Sequence, residues 1–183
     1  MPEAETSLRL AFYLLSRGLT DKVEVAIDGA QVKTTSQVHF EIAQFLVESQ
    51  CRCIAPAFEW RGRYSHDPTK GYISIHSNPG QGDVVATLWN GRVFRAEAKK
   101  GPLVSSKSSQ EYPLLREALG QLLTIQSVGE HDLLAVAVPH STKFSDLASR
   151  WREAPLVRRS GIQILTVTRD NQVHGLEALL PVA

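Results

Sequence analysis

The chain has 183 residues, 43% of them hydrophobic and 21% charged, a balance that suits one globular domain with a full core and excludes a disordered or fibrous chain. A formal net charge of +1 excludes nucleic-acid binding by bulk charge, so any electrostatic footprint has to be local.

The first five residues carry no basic start, and the apolar run from Leu8 stops at Leu15, before Ser16-Arg17. Neither a signal peptide nor a membrane span is expected, and the cytoplasm is the expected location. Leu8, Ala11, Phe12, Leu14 and Leu15 fall near helical spacing and predict a helix over residues 6–18, stopped at Gly18. Residues 23–27 and 32–34 read as two strands of a hairpin around Asp28-Gly29. The segment 1–35 is thus expected to be an N-terminal extension packed on the core, for dimerisation or substrate contact, with the main domain over 36–183.

A helix is predicted over 36–49, started by Thr35 or Ser36 and apolar at Val38, Ile42, Phe45 and Leu46. Glu41 and Glu48 lie on its polar side, and His39 reads as a packed histidine. Residues 51–58 read as a strand. The only cysteines, Cys51 and Cys53, sit in it on one face, with no second Cys or His pair at zinc-ligand spacing, and read as two core thiols. The polar, aromatic stretch 59–68 is expected to be a loop. Its Arg61, Arg63, Tyr64 and His66 either contact phosphates and unpaired bases or serve no such role. Residues 72–76 form the next expected strand, leading through Asn78-Pro79-Gly80-Gln81-Gly82 to Asp83.

Residues 82–99 carry the chemistry. Two strands flank Trp89-Asn90-Gly91, and the register between them decides which side chains share a face. A two-residue Asn-Gly turn pairs Trp89 with Arg92 and puts Asp83 on the face of Phe94, Ala96 and Ala98. A three-residue loop with Gly91 in the left-handed position of a bulge pairs Leu88 with Arg92 and Asp83 with Glu97. The second register places Val84, Ala86, Leu88, Phe94, Ala96 and Ala98 on one face and Asp83, Val85, Thr87, Val93, Arg95, Glu97 and Lys99 on the other. Because a one-residue slip moves a strand's whole apolar set, the cleaner partition predicts the bulged loop. Asp83 and Glu97 are then directly opposite, with β-carbons about 5 Å apart. Like charges that close need compensation, which Lys99 or a divalent cation would supply.

Beyond a loop of small polar residues at 105–110, a helix is predicted from Pro113 to about residue 126, with Leu115, Ala118, Leu119 and Leu122 in its apolar stripe and Gln121 at the edge, one turn from Glu117. The apolar run 133–138 reads as a central strand covered on both faces. A helix over 143–157 and a strand over 162–167 then suggest a parallel crossover. Two basic stretches stand out: Arg92, Arg95, Lys99, Lys100 and Lys107, and Arg150, Arg152, Arg158 and Arg159.

Gly82-Asp83, a hairpin, then Glu97-Ala98-Lys99-Lys100-Gly101 resembles the signature of the PD-(D/E)XK, or restriction-endonuclease-like, nuclease superfamily. The resemblance covers residues 36–138 in the order helix, strand, hairpin, helix, strand. It implies an α/β/α sandwich around a central mixed sheet and a magnesium- or manganese-dependent nuclease acting on DNA, or on RNA. It also implies metal ligation by Asp83, Glu97 and the Ala98 carbonyl, with Glu41 the nearest match to a metal-linked helix glutamate. Lys99 would orient or deprotonate the attacking water, and Gln121 would stand beside the site. A tyrosine that often follows this glutamine by four residues is replaced by Ile125. The alternatives are a nucleic-acid-binding module, a nuclease subunit that needs a partner protein or a second copy, and an unrelated α/β protein in which the motif is chance.

Overall fold

In the computed structural model all residues are described except Ser36, Pro79, Gln81, 105–109 and 177–183. The chain is a mixed α/β protein built on one nine-stranded sheet. Helix α1 (Glu3–Ser16) leads to strand β1 (Lys22–Ala26), the short helices α2 (Gly29–Val32) and α3 (Ile42–Glu48), and strands β2 (Cys51–Pro56), β3 (Gly62–His66) and β4 (Gly71–His76). The hairpin β5 (Val84–Thr87) and β6 (Val93–Ala98) follows, then α4 (Glu111–Leu122), β7 (Leu133–Pro139), α5 (Thr142–Arg152), α6 (Pro155–Ser160), β8 (Gln163–Val167) and β9 (Val173–His174).

The sheet order is β2-β3-β4-β1-β5-β6-β7-β8-β9. The β1–β4, β6–β7 and β7–β8 pairs are parallel and the others antiparallel. As expected, β7 and β8 are joined by a parallel crossover, through α5 and α6. Successive residues of β7 feed opposite cores. Leu133, Ala135 and Ala137 pack with α1 residues such as Leu8 and Phe12, whereas Val136 and Val138 pack with Leu115, Leu122 and Phe144 of α4 and α5. Helices therefore lie on both faces: α1 on one, α4 and α5 on the other over β6, β7 and β8. On β4, β1 and β5 buried residues alternate with partly exposed or exposed ones, so the face turned away from α1 stays open to solvent there.

The first 35 residues are not an appendage. β1 lies between β4 and β5 in the middle of the sheet, and α1 is buried on nearly every side. A helix buried all round belongs to a core rather than to a surface extension. The hairpin expected around Asp28-Gly29 is also absent. The Asp28 side chain accepts the Ala30 N–H and starts α2 instead, since a short Asx side chain competes well for a helix N-terminus. The helix expected over 36–49 shortens to α3, and the expected loop 59–68 contains β3. The helix expected over 143–157 is divided, with Pro155 opening α6 at a position where its missing N–H costs nothing. Cys51 is buried, which pushes its thiol up to about 12, but Cys53 is exposed and is no core thiol. His39, expected to pack, is exposed. The expected loop at 105–110, with Lys107, lies outside the described residues apart from Gln110. Among the described residues no helix is long and apolar enough to cross a membrane.

Candidate metal and active site

The β5–β6 register is the bulged one. Val84 faces Ala96 and Thr87 faces Val93, so continuing the ladder sets Leu88 against Arg92 and Asp83 against Glu97. The Leu88 N–H donates to the Arg92 carbonyl at 2.8 Å, and Gly91 takes φ 80°, the left-handed value its place in the loop requires. Asp83 is fixed by its own backbone on both sides. Its N–H donates to Ala96 at 2.9 Å, and its carbonyl accepts the Ala26 N–H at 2.9 Å. The side chain bends back along β6, where Asp83 Oδ2 accepts the Ala98 N–H at 2.8 Å.

That last bond also orients Ala98. The N–H and C=O of one strand residue point to the same edge, and successive residues alternate edges. Ala96 and Ala98 therefore turn toward Asp83, while the Lys99 N–H donates to Ala137 of β7 at 2.9 Å. The Ala98 carbonyl consequently faces the same side as the two carboxylates.

The Glu97 and Asp83 side chains interact directly, and each charge disfavours the other. Burial, followed by the Asp83 charge, pushes the Glu97 carboxyl up to about 7. Burial also raises Asp83, against the opposing pull of the Ala98 N–H and Lys99. The Lys99 ammonium is almost wholly buried and lies 3.3 Å from Glu117 Oε1 of α4 and 3.9 Å from Glu3 Oε1 of α1. Glu3 is in turn held by Gln31 of α2, whose Nε2 donates to Oε1 at 2.6 Å. Burial raises the Glu3 carboxyl as well, and Lys99 offsets part of that rise.

Asp83 and Glu97 open into a cavity of about 420 Å³ whose walls include Asp28, Gln31, Ser77, Asn78 and Gln121. Gln121 is thus brought to the pair. Glu41 is not: it is exposed at the start of α3 and lines a different cavity, with Trp60 and Arg61. The glutamates that do reach Lys99 from helices are Glu117 of α4 and Glu3 of α1. The predicted start of the first helix at residue 6 left Glu3 outside it, although Pro2 followed by Glu3 and Glu5 is the acidic first-turn pattern of a helix N-terminus. Of the first basic stretch, Arg92 donates to the His131 carbonyl at 2.8 Å, Arg95 pairs with Asp132 at 3.1 Å and Lys99 is engaged as above, while Lys100 is exposed and lines a neighbouring cavity. In the second, Arg152 donates to the Ile164 carbonyl, away from the carboxylates.

Among the described residues no three His, Cys, Asp or Glu side chains gather as a ready metal cluster. Magnesium asks for less, taking one or two protein carboxylates and keeping its other positions for water and phosphate. Asp83 and Glu97 supply two carboxylates on the wall of an open cavity, with the carbonyl of the buried Ala98 directed to the same edge of β6 behind them. Without a cation the two carboxyls resist ionising together, and a divalent ion relieves that conflict directly. The donor set fits magnesium or manganese. The chain matches no known family model, no curated protein and no solved structure.

Proposed function

We propose that the protein is a magnesium- or manganese-dependent phosphodiesterase of the restriction-endonuclease-like kind, acting on DNA. The observation that carries this reading is the half-buried Asp83–Glu97 pair, opposed across a hairpin, opening to solvent and followed at two residues by a buried lysine. The architecture supports it as well. The order α1, β1, β5–β6, α4 and β7, with β2 to β4 between β1 and β5, supports it through a different first helix and strand from those expected after residue 36.

Asp83, Glu97 and the Ala98 carbonyl hold the cation. Bound there, the ion supplies Lewis acidity toward the phosphate and makes water a competent nucleophile near neutral pH. Lys99 orients the attacking water and places positive charge beside the phosphate as negative charge develops on it. Glu117 and Glu3 hold the Lys99 ammonium in place, and Gln31 holds Glu3. Gln121, at the cavity wall, positions a phosphate oxygen or a water through its amide.

The direct test is cleavage of labelled single-stranded, double-stranded and branched DNA in magnesium, manganese, calcium and excess chelator. Cleavage is expected in the first two only, because calcium takes more ligands at longer distances. Asp83→Asn is expected to abolish it. Cleavage in chelator, or full activity of Asp83→Asn, would overturn the mechanism. Wild-type protein inert on every substrate would move the assignment to a subunit that needs a partner, or to a binding module.

A further inference from the structure

Beside the carboxylate cavity lies a second one, of about 730 Å³, and Ser77 lines both. Its apolar walls are Val32, Phe40, Ile42 and Trp60, and its rim carries Glu41 and Arg61. Arg61 stands at the junction. Its guanidinium donates to Ser77 Oγ at 3.1 Å and lies 5.6 Å from the Trp60 ring centroid and 4.8 Å from that of Phe58. The turn that presents these residues is fixed by its own bonds. The Ala57 N–H donates to the Arg61 carbonyl at 3.1 Å, the Arg61 N–H to Phe58 at 3.0 Å, and the Tyr64 hydroxyl to the Trp60 carbonyl at 2.8 Å.

A half-buried indole and a phenyl ring facing a cavity, with hydrogen-bonding groups at the mouth, suit a flat heterocycle with polar edges. A guanidinium between that cavity and the metal-binding pair suits the phosphate attached to such a ring. We propose that the Trp60 cavity takes an unpaired nucleobase of the strand whose phosphodiester lies at Asp83 and Glu97. Single-stranded or splayed nucleic acid is then the substrate rather than intact duplex. The inference rests on the phosphodiesterase reading and extends it. Stacking on Trp60 supplies affinity without strong base preference, since every base has a π-face. Glu41 at the rim accepts from an exocyclic amino group, and Arg61 clamps the neighbouring phosphate.

The test uses the full chain with Asp83→Asn to block cleavage, in chelator, read by fluorescence anisotropy. The probes are an end-labelled 12-nucleotide thymidine strand, the uridine RNA strand of equal length, an abasic 12-nucleotide strand and a 12-base-pair duplex. At least one base-bearing strand is expected to bind about 10-fold or more tighter than the abasic strand and the duplex. Comparison of the two strands separates a DNA from an RNA source of the base. Adding Trp60→Ala should bring the base-bearing strand down to the abasic level, while Trp60→Phe keeps most of the difference. Equal binding of base-bearing and abasic strands by the parent overturns the proposal, as does no binding of any probe. A Trp60→Ala variant that weakens all probes alike also overturns it. Should that variant fail to fold, the abasic comparison and Trp60→Phe decide. Wild-type cleavage in magnesium is read separately. Base preference without cleavage sinks the phosphodiesterase and leaves the base cavity, and cleavage without base preference does the reverse.

Discussion

The Asp83–Glu97 pair retains a proton that the unfolded chain releases, and that difference makes stability depend on pH. Glu97 titrates from an ordinary 4.5 when unfolded to about 7 when folded. Between those values the native state binds more protons than the unfolded state, so stability falls as pH rises through that window. The contribution is fully present below pH 4.5 and lost as pH passes 7. The melting temperature of the metal-free protein is expected to drop over that range, and Glu97→Gln should flatten the drop, since its amide does not titrate. An unchanged slope in the variant would place the proton elsewhere. Two further single-residue outcomes separate Glu3 from Glu41. Glu3→Gln is expected to lower cleavage about 10-fold or more by loosening Lys99, whereas Glu41→Gln should leave cleavage of a thymidine strand, which offers no exocyclic amino group, within about 2-fold. For Lys99 itself, arginine keeps the charge but stays protonated, and its planar fork does not replace the compact ammonium held by Glu117 and Glu3. Lys99→Arg should hold DNA affinity within a few-fold and lose turnover by on the order of 100-fold, the range of a positioned acid–base group. Equal cleavage by that variant would remove the water-activating role.

The hairpin brings Asp83 and Glu97 together because its two strands impose a register that places unlike faces to inside and outside. That register was legible in the sequence, since it follows from a period of two and a three-residue loop, both local. Glu3 was not legible as a partner of Lys99, because nothing local marks a contact between the first helical turn and the end of β6. Gly82 shows the same hairpin constraining its own entrance. It takes φ 123°, and a β-carbon there would stand 3.1 Å from the Ala96 carbonyl oxygen. Proline, with φ near −65°, does not fit that backbone, which explains why this chain has glycine before its acid. Gly82→Ala is expected to destabilise the protein on the order of 1–3 kcal/mol, the usual cost of a residue held at a backbone angle it disfavours. Because the same shift displaces Asp83, cleavage should fall in parallel with the melting temperature. Loss of stability with full cleavage would show that the acid does not depend on this turn.

Over the whole molecule, the strands were largely legible, but how the chain divides was not. A strand with alternating Val23, Val25 and Ile27 reads the same whether it is an edge or a centre, and only tertiary pairing tells them apart. Here β1 pairs in parallel with β4 from Lys22↔Tyr72 to Ala26↔His76 and runs antiparallel to β5 through Glu24↔Val85. Removing residues 1–35 would leave β4 and β5 as facing, unpaired edges, and unpaired strand edges seek other chains. It would also take Leu8, Leu10, Phe12 and Leu14 out of the larger core and expose Ala96 and Ala98 behind the site. A domain confined to 36–183 would survive that loss. A sheet centred on β1 would not. The fragment 36–183 is therefore expected to show no cooperative thermal transition, to bind a hydrophobic dye and to lack cleavage, while the full chain unfolds in one transition. A sharp transition in the fragment, with cleavage retained, would restore the boundary at residue 35 and make Glu3 dispensable.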